Sequence, residues 1–230
     1  MTESVLAHLA LRFSTQPENI ATEALGYILG KSVDAQEALL GFLRQAGIHI
    51  EGPLTFRTQA VGTSGERPDL VAIDAKGNEA LLIEAKFWAG LTENQPGAYL
   101  KRGTLLVVCP AQRVNFLWSE LGRLCAADGH PLTNAHRVLV LRDTWIAGVD
   151  KEKSLAITSW RELLSAIGSR LDRADDKTLR ADVQQLDGLC ERMDTEAFLT
   201  VSSEELTSGV YRRVIDFANL VNDVCVRACE

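Results

Sequence analysis

Two short β-type runs joined by a glycine turn constrain this chain more than any other stretch. Leu70-Val71-Ala72-Ile73 and Leu81-Leu82-Ile83 are apolar, and Lys76-Gly77-Asn78 lies between them. Apolar runs of this length around a Gly-Asn turn predict an antiparallel hairpin. The second run continues into Glu84-Ala85-Lys86 without leaving its apolar setting. Side chains alternate faces along a strand, so Glu84 and Lys86 share a side and Ala85 takes the other. A carboxylate and an ammonium on a buried strand are costly unless something pairs with them. Asp69 opens the first strand after Pro68. Pairing through the turn predicts it opposite roughly position 85, next to Glu84.

Two carboxylates, the Ala85 carbonyl and open water positions suit Mg²⁺, which keeps several waters and takes few protein ligands. Such an ion polarises phosphoryl oxygens and makes water nucleophilic. Lys86 would orient the attacking water and stabilise negative charge in the transition state. Phe87-Trp88 leave the strand next. They can pack the core or stack on a base, and packing is the stronger expectation. Thr92 or Asn94 can cap a following helix, on which Gln95 and Tyr99 share a face at i, i+4.

Pro68-Asp69, the hairpin, Glu84-Ala85-Lys86 and then Gln95-Pro96-Gly97-Ala98-Tyr99 together resemble the PD-(D/E)xK nuclease superfamily. The Gln-x-x-x-Tyr spacing resembles its RecB-like branch. The chain is also similar to a bacterial group with an IEAKF…GLT…Q-P…Y signature, many of whose members are suspected of acting against foreign DNA. The catalytic-core resemblance covers about residues 18–110, and the resemblance to the bacterial group runs weakly to the C-terminus. It implies a restriction-endonuclease-like mixed β-sheet with an α-β-β-β-α-β core flanked by helices. It also implies a DNA endonuclease using Mg²⁺, with Mn²⁺ able to substitute. By resemblance Glu23 on the first core helix is aimed at the metal. The expected catalytic set is then Asp69, Glu84, Lys86, Gln95 and Glu23, with Tyr99, Arg67 and Lys101 contacting substrate. A homodimer is expected because cutting both strands of a duplex often takes two sites. A partner subunit of a defence system is a further implication. The alternative reading is a catalytically silent nucleic-acid-binding or assembly subunit.

The formal net charge of −7 argues against non-specific coating of nucleic acid. A local basic rim could still meet DNA, and Arg57, Arg67, Lys101, Arg102 and Arg113 are its candidates. The five cysteines are scattered without a Cys-x-x-Cys pair, which reads as reduced thiols in a cytoplasmic protein. The four histidines fit no metal-binding spacing. No window approaches about 18 uninterrupted apolar residues, so no membrane span is expected. The N-terminus reads as an amphipathic helix, not a signal peptide.

Along the chain, 3–13, 18–30 and 33–46 read as helices, the last ended by Gly47. A strand follows within 54–61, then a loop at Gly62-Thr63-Ser64-Gly65. The runs 104–109 and 137–141 read as buried strands, and 155–159 as a final short one. Helices are expected at 111–127, 160–171, 176–194 and 209–229. The order suggests a mixed sheet with helices on both faces. Residues 1–170 would form the nuclease-like domain. Residues 171–230 would be a helical C-terminal extension, packed on that core or on a second subunit.

Overall fold

The computed structural model describes residues 16–58, 67–92, 95–150 and 152–196, with positions 6, 10, 217 and 221. The chain divides into two compact units, Met1–Ala197 and Phe198–Glu230. In the second unit only Phe217 and Val221 are described, both helical. Most of the expected helices 3–13 and 209–229, and the loop 62–65, lie outside the described residues. Leu6 and Ala10 are helical.

The first unit is a mixed α/β structure built on a seven-stranded sheet. Helix α1 (Pro17–Lys31) starts on a proline, which the first turn tolerates because its N–H has no helical partner there. Ser32 caps α2 (Val33–Gln45) by accepting from the Ala35 amide at 3.2 Å. Gly47, at φ +86, ends that helix. Then come β1 (Thr55–Thr58), β2 (Leu70–Ile73), β3 (Glu79–Ala85), α3 (Gln95–Arg102) and β4 (Thr104–Cys109). A single 3₁₀ turn at Ala111–Arg113 leads into α4 (Val114–Ala127). The chain continues through β5 (Thr133–Arg137), β6 (Trp145–Gly148), β7 (Ser154–Ser159), α5 (Trp160–Arg173) and α6 (Lys177–Glu196).

The strand order is β1-β2-β3-β4-β7-β6-β5. Strands β3, β4 and β7 run parallel at the centre, and antiparallel pairs complete both sides. The strand expected last in sequence therefore lies inside the sheet. Central parallel strands are covered on both faces, which is why TLLVVC of β4 is buried throughout. Alternate strand residues feed two cores. Ile83, Ala85, Leu106 and Val108 pack with α1, α2, α5 and α6. Leu82, Leu105, Val107 and Ile157 pack with α3 and α4. Gly103 lets α3 turn directly into β4, since a Cβ there would lie 2.5 Å from the Glu79 carbonyl oxygen.

One expectation needs revision, and one strand was not read from the sequence. The run Arg137–Leu141 is not a buried strand. Strand β5 is the exposed edge Thr133–Arg137, and Leu139 and Val140 are 98% and 73% exposed in the turn beyond it. Only Val138 and Leu141 turn inward. Strand β6 had no counterpart in the sequence reading. Its four residues are too few for a periodic signal to stand out. Helix α6 lies beyond residue 170, and the first compact unit runs to Ala197. Helix α6 buries Leu179, Val183, Leu186, Leu189 and Met193 in the same core as the sheet. No described helix is long and apolar enough to cross a membrane.

Candidate functional site

Register decides whether Asp69 and Glu84 meet. Leu70 pairs with Ile83 and Ala72 with Leu81, but Ile73 pairs with Glu79. Ala80 is thus an extra residue in β3, a bulge that shifts the pairing by one. One step beyond Leu70 and Ile83, Asp69 comes level with Glu84, not with Ala85. The Asp69 carboxylate caps the strand end, its Oδ2 accepting from the Ala85 amide at 2.8 Å. Gly77, at φ +87, closes the turn at the other end of the hairpin.

Glu84 is only 3% exposed. Its Oε1 lies 2.7 Å from Lys86 Nζ, the neighbour that period-two alternation predicts. Burial pushes the Glu84 carboxyl above its usual range; Lys86 opposes that shift, as do the Asp69 amide and the Tyr99 hydroxyl bonded to it. Asp69 is pushed up to about 7 by burial first and by the Glu84 charge second. The Ala85 amide and Lys86 pull it down, while Glu18 adds to the repulsion. A buried acid, a half-buried acid and one ammonium therefore share a confined region with an excess of negative charge when both acids ionise.

Helix α1 contributes Glu18. Its Oε1 accepts from the Phe87 amide and, at 3.1 Å, from the Trp88 amide. Glu23 is exposed. Five helical positions turn the side chain by about 140°, so Glu18 and Glu23 cannot both face the sheet. The signal was present: Glu18 stands at i−3, i−4 and i−7 from the buried Ala21, Thr22 and Leu25. On the other side of the same loop, buried Arg113 donates through Nη1 to the carbonyls of Phe87 at 2.5 Å and Ala89 at 3.1 Å. Phe87 enters the core against Trp160, ring centroids 5.7 Å apart, while Trp88 remains 46% exposed.

Tyr99 is buried and meets Glu84, so it supports the carboxylate from behind instead of facing solvent. Gln95 opens α3; its side chain lies outside the described residues. Arg67 is exposed two residues before Asp69. Lys101 is exposed at the end of α3, where its carbonyl accepts from Lys153 Nζ at 2.8 Å. Thr104, which follows, is level with Leu81. That places Lys101 roughly 10 Å or more along the strands from Glu84. Arg102 is committed to Glu79 through two bonds of 2.7 Å.

Two cavities among the described residues bear on this site. One of about 340 Å³ is lined by Gln16, Pro17, Glu18, Asn19, Trp88 and Ala89, and it shares Glu18 with the acidic centre. A wider cleft of about 870 Å³ lies at the start of β3, β4 and β7, near Glu79, Thr104 and Ser154. That is the opposite end of the strands from Glu84, and size alone does not bring it to the chemistry. Among the described residues, no group of three or more His, Cys, Asp or Glu side chains is placed to hold a metal ion. No protein-family model, curated protein or solved structure matches the chain.

Proposed function

We propose that the chain is a Mg²⁺-dependent endonuclease of the PD-(D/E)xK type that hydrolyses DNA phosphodiester bonds, serving restriction or anti-phage defence. The observation that carries this reading is Asp69 level with Glu84 at one end of the hairpin, with Lys86 Nζ 2.7 Å from the Glu84 carboxylate. The element order supports it: α2, β1, β2, β3, α3 and β4 run in the α-β-β-β-α-β sequence of a restriction-endonuclease-like core.

The acid pair fits a hard divalent cation. Both carboxyls are destabilised as anions by burial, and Asp69 also by Glu84. A counter-charge with oxygen affinity relieves that strain with few protein ligands. Asp69, Glu84 and the Ala85 carbonyl would hold it. When bound, Mg²⁺ supplies polarisation of a phosphoryl oxygen and acidification of water. The chain's own groups do the rest. Lys86 stands beside Glu84 on the same face, placed to orient water and to stabilise charge developing on the phosphate. Tyr99 holds Glu84 in its rotamer. Glu18 and Arg113 fix the loop that leaves Lys86.

The test is plasmid cleavage with Mg²⁺ by the wild type, Lys86→Ala and Asp69→Ala. Cleavage by the wild type alone is expected, with each variant reduced at least about 100-fold. Equal cleavage by all three would remove the assignment. A second reading is a silent nucleic-acid-binding subunit, favoured by the close Lys86–Glu84 ion pair, which engages the ammonium. DNA binding in chelator with no cleavage under any divalent metal would select it.

A further inference from the structure

The loop after Lys86 is held with unusual thoroughness for one that ends in an exposed side chain. Its amides at Phe87 and Trp88 are bound by Glu18 from α1. Its carbonyls at Phe87 and Ala89 are bound by Arg113 from the 3₁₀ turn before α4. Phe87 is buried against Trp160. Two helical segments and the core thus fix the backbone on both sides of Trp88. The indole nonetheless stands 46% exposed. A large apolar side chain that is exposed but tethered at its backbone loses little further entropy when something stacks on it.

The surroundings specify what that something is. The cavity beside the indole, about 340 Å³, has Gln16, Glu18 and Asn19 among its walls. With Pro17 and Ala89 also in its lining, it combines an aromatic residue and small apolar walls with polar edges, at the small end of the range for ligand pockets, roughly 300–1,000 Å³. A protein hot spot or a lipid contact would call for an apolar surround. A flat heteroaromatic ring with polar edges matches this one. Glu18 belongs to both the cavity and the field acting on Asp69, so an occupant would lie next to the acidic centre.

We propose that Trp88 and this cavity hold one unpaired nucleobase of the strand whose phosphate lies at Asp69 and Glu84, so that the substrate is single-stranded or locally opened nucleic acid. The proposal rests on the hydrolytic reading of that centre for its placement. Within a duplex both faces of a base are covered by its neighbours. A base on Trp88 must have left the stack or never been in one.

The experiment measures binding of a short single-stranded oligothymidylate to the full chain in chelator, by anisotropy and by quenching of tryptophan fluorescence. Wild type is expected to bind with quenching. Trp88→Ala should lose most of the quench and bind about 5- to 160-fold more weakly, the range for losing one base–aromatic stack. Trp88→Phe should recover most of the affinity. A strand with one abasic position should bind wild type more weakly and Trp88→Ala no more weakly than the intact strand does. Unchanged binding and quenching in Trp88→Ala would overturn the proposal. So would loss of self-association in that variant with oligonucleotide binding intact, which would assign the indole to a protein interface. If wild type and Trp88→Ala cleave and bind single strands alike, the base site fails while the hydrolytic reading stands. If the quench and abasic effects hold but no metal gives cleavage, the hydrolytic reading fails and the base site stands.

Discussion

Asp69 couples the site to pH. Its carboxyl sits at about 7 in the folded chain against an ordinary value of 3.8. A group raised on folding binds an extra proton between those values, so its stabilisation is complete below about pH 4 and is lost as pH rises through about 7. At about 1.4 kcal/mol per unit, the loss is on the order of a few kcal/mol, shared with Glu84 because the two titrate together. Asp69→Asn keeps an oxygen for the Ala85 amide but cannot ionise. Thermal melting in chelator from about pH 4 to 8.5 should fall for the wild type and stay flatter for Asp69→Asn. Parallel curves would refute the assignment. Added Mg²⁺ at about pH 8 should raise the wild-type melting temperature and leave that of Asp69→Asn nearly unchanged. At this scale the sequence was legible where chemistry clashed with context, as at Glu84 and Lys86 in an apolar strand. It was harder to read where a helix face had to be chosen. Glu18 and Glu23 both lie in α1, and the spacing that puts Glu18 on the face of Ala21, Thr22 and Leu25 competes with the resemblance that points to Glu23.

The hairpin and the β5–β6 turn show why some elements could be read and others could not. Gly77 and the apolar runs around it are local signals, and they gave β2, β3 and their partnership. The one-residue shift at Ala80 is also local, but nothing in the run EALLIEA marks it; without it the pairing of Ile73 with Glu79 would carry Asp69 level with Ile83, and the shift brings it to Glu84. The run RVLVL carries an equally strong β signal. Whether such a run is a buried strand depends on where the chain turns: only Arg137 of it belongs to β5, the last strand of the sheet among the described residues, and the rest forms the turn toward β6. Exposure predicts tolerance: Leu139→Asn and Val140→Ser should change stability by no more than about 0.5 kcal/mol. Leu141→Ala, on the inward side, should cost about 2 kcal/mol or more. Chemical denaturation of the three variants checks this, and a large loss from Val140→Ser would contradict the turn's exposure.

At the scale of the molecule, alternation of strands and helices made the layered α/β arrangement readable, because central strands need cover on both faces. The extent of the first unit was less readable, since an amphipathic helix states that it needs a surface without saying which. Helix α6 finds that surface in the core beneath α1 and α5. Its five buried apolar side chains contribute on the order of 10 kcal/mol, comparable with the whole stability of a domain. A chain ending at Ala197 should therefore melt cooperatively with its sheet intact, whereas one ending at Asp176 should not fold. Circular dichroism melts of the two truncations make the comparison, and a folded shorter chain would refute it. The turn at Asp74–Asn78 has a practical corollary. It is exposed and sits about 20 Å along the strand from Glu84, while the three cysteines among the described residues are buried. A thiol introduced at Ala75 would give a dye or a surface tether an accessible attachment point, leaving the opposite end of the strands, where the acids lie, uncovered by the label.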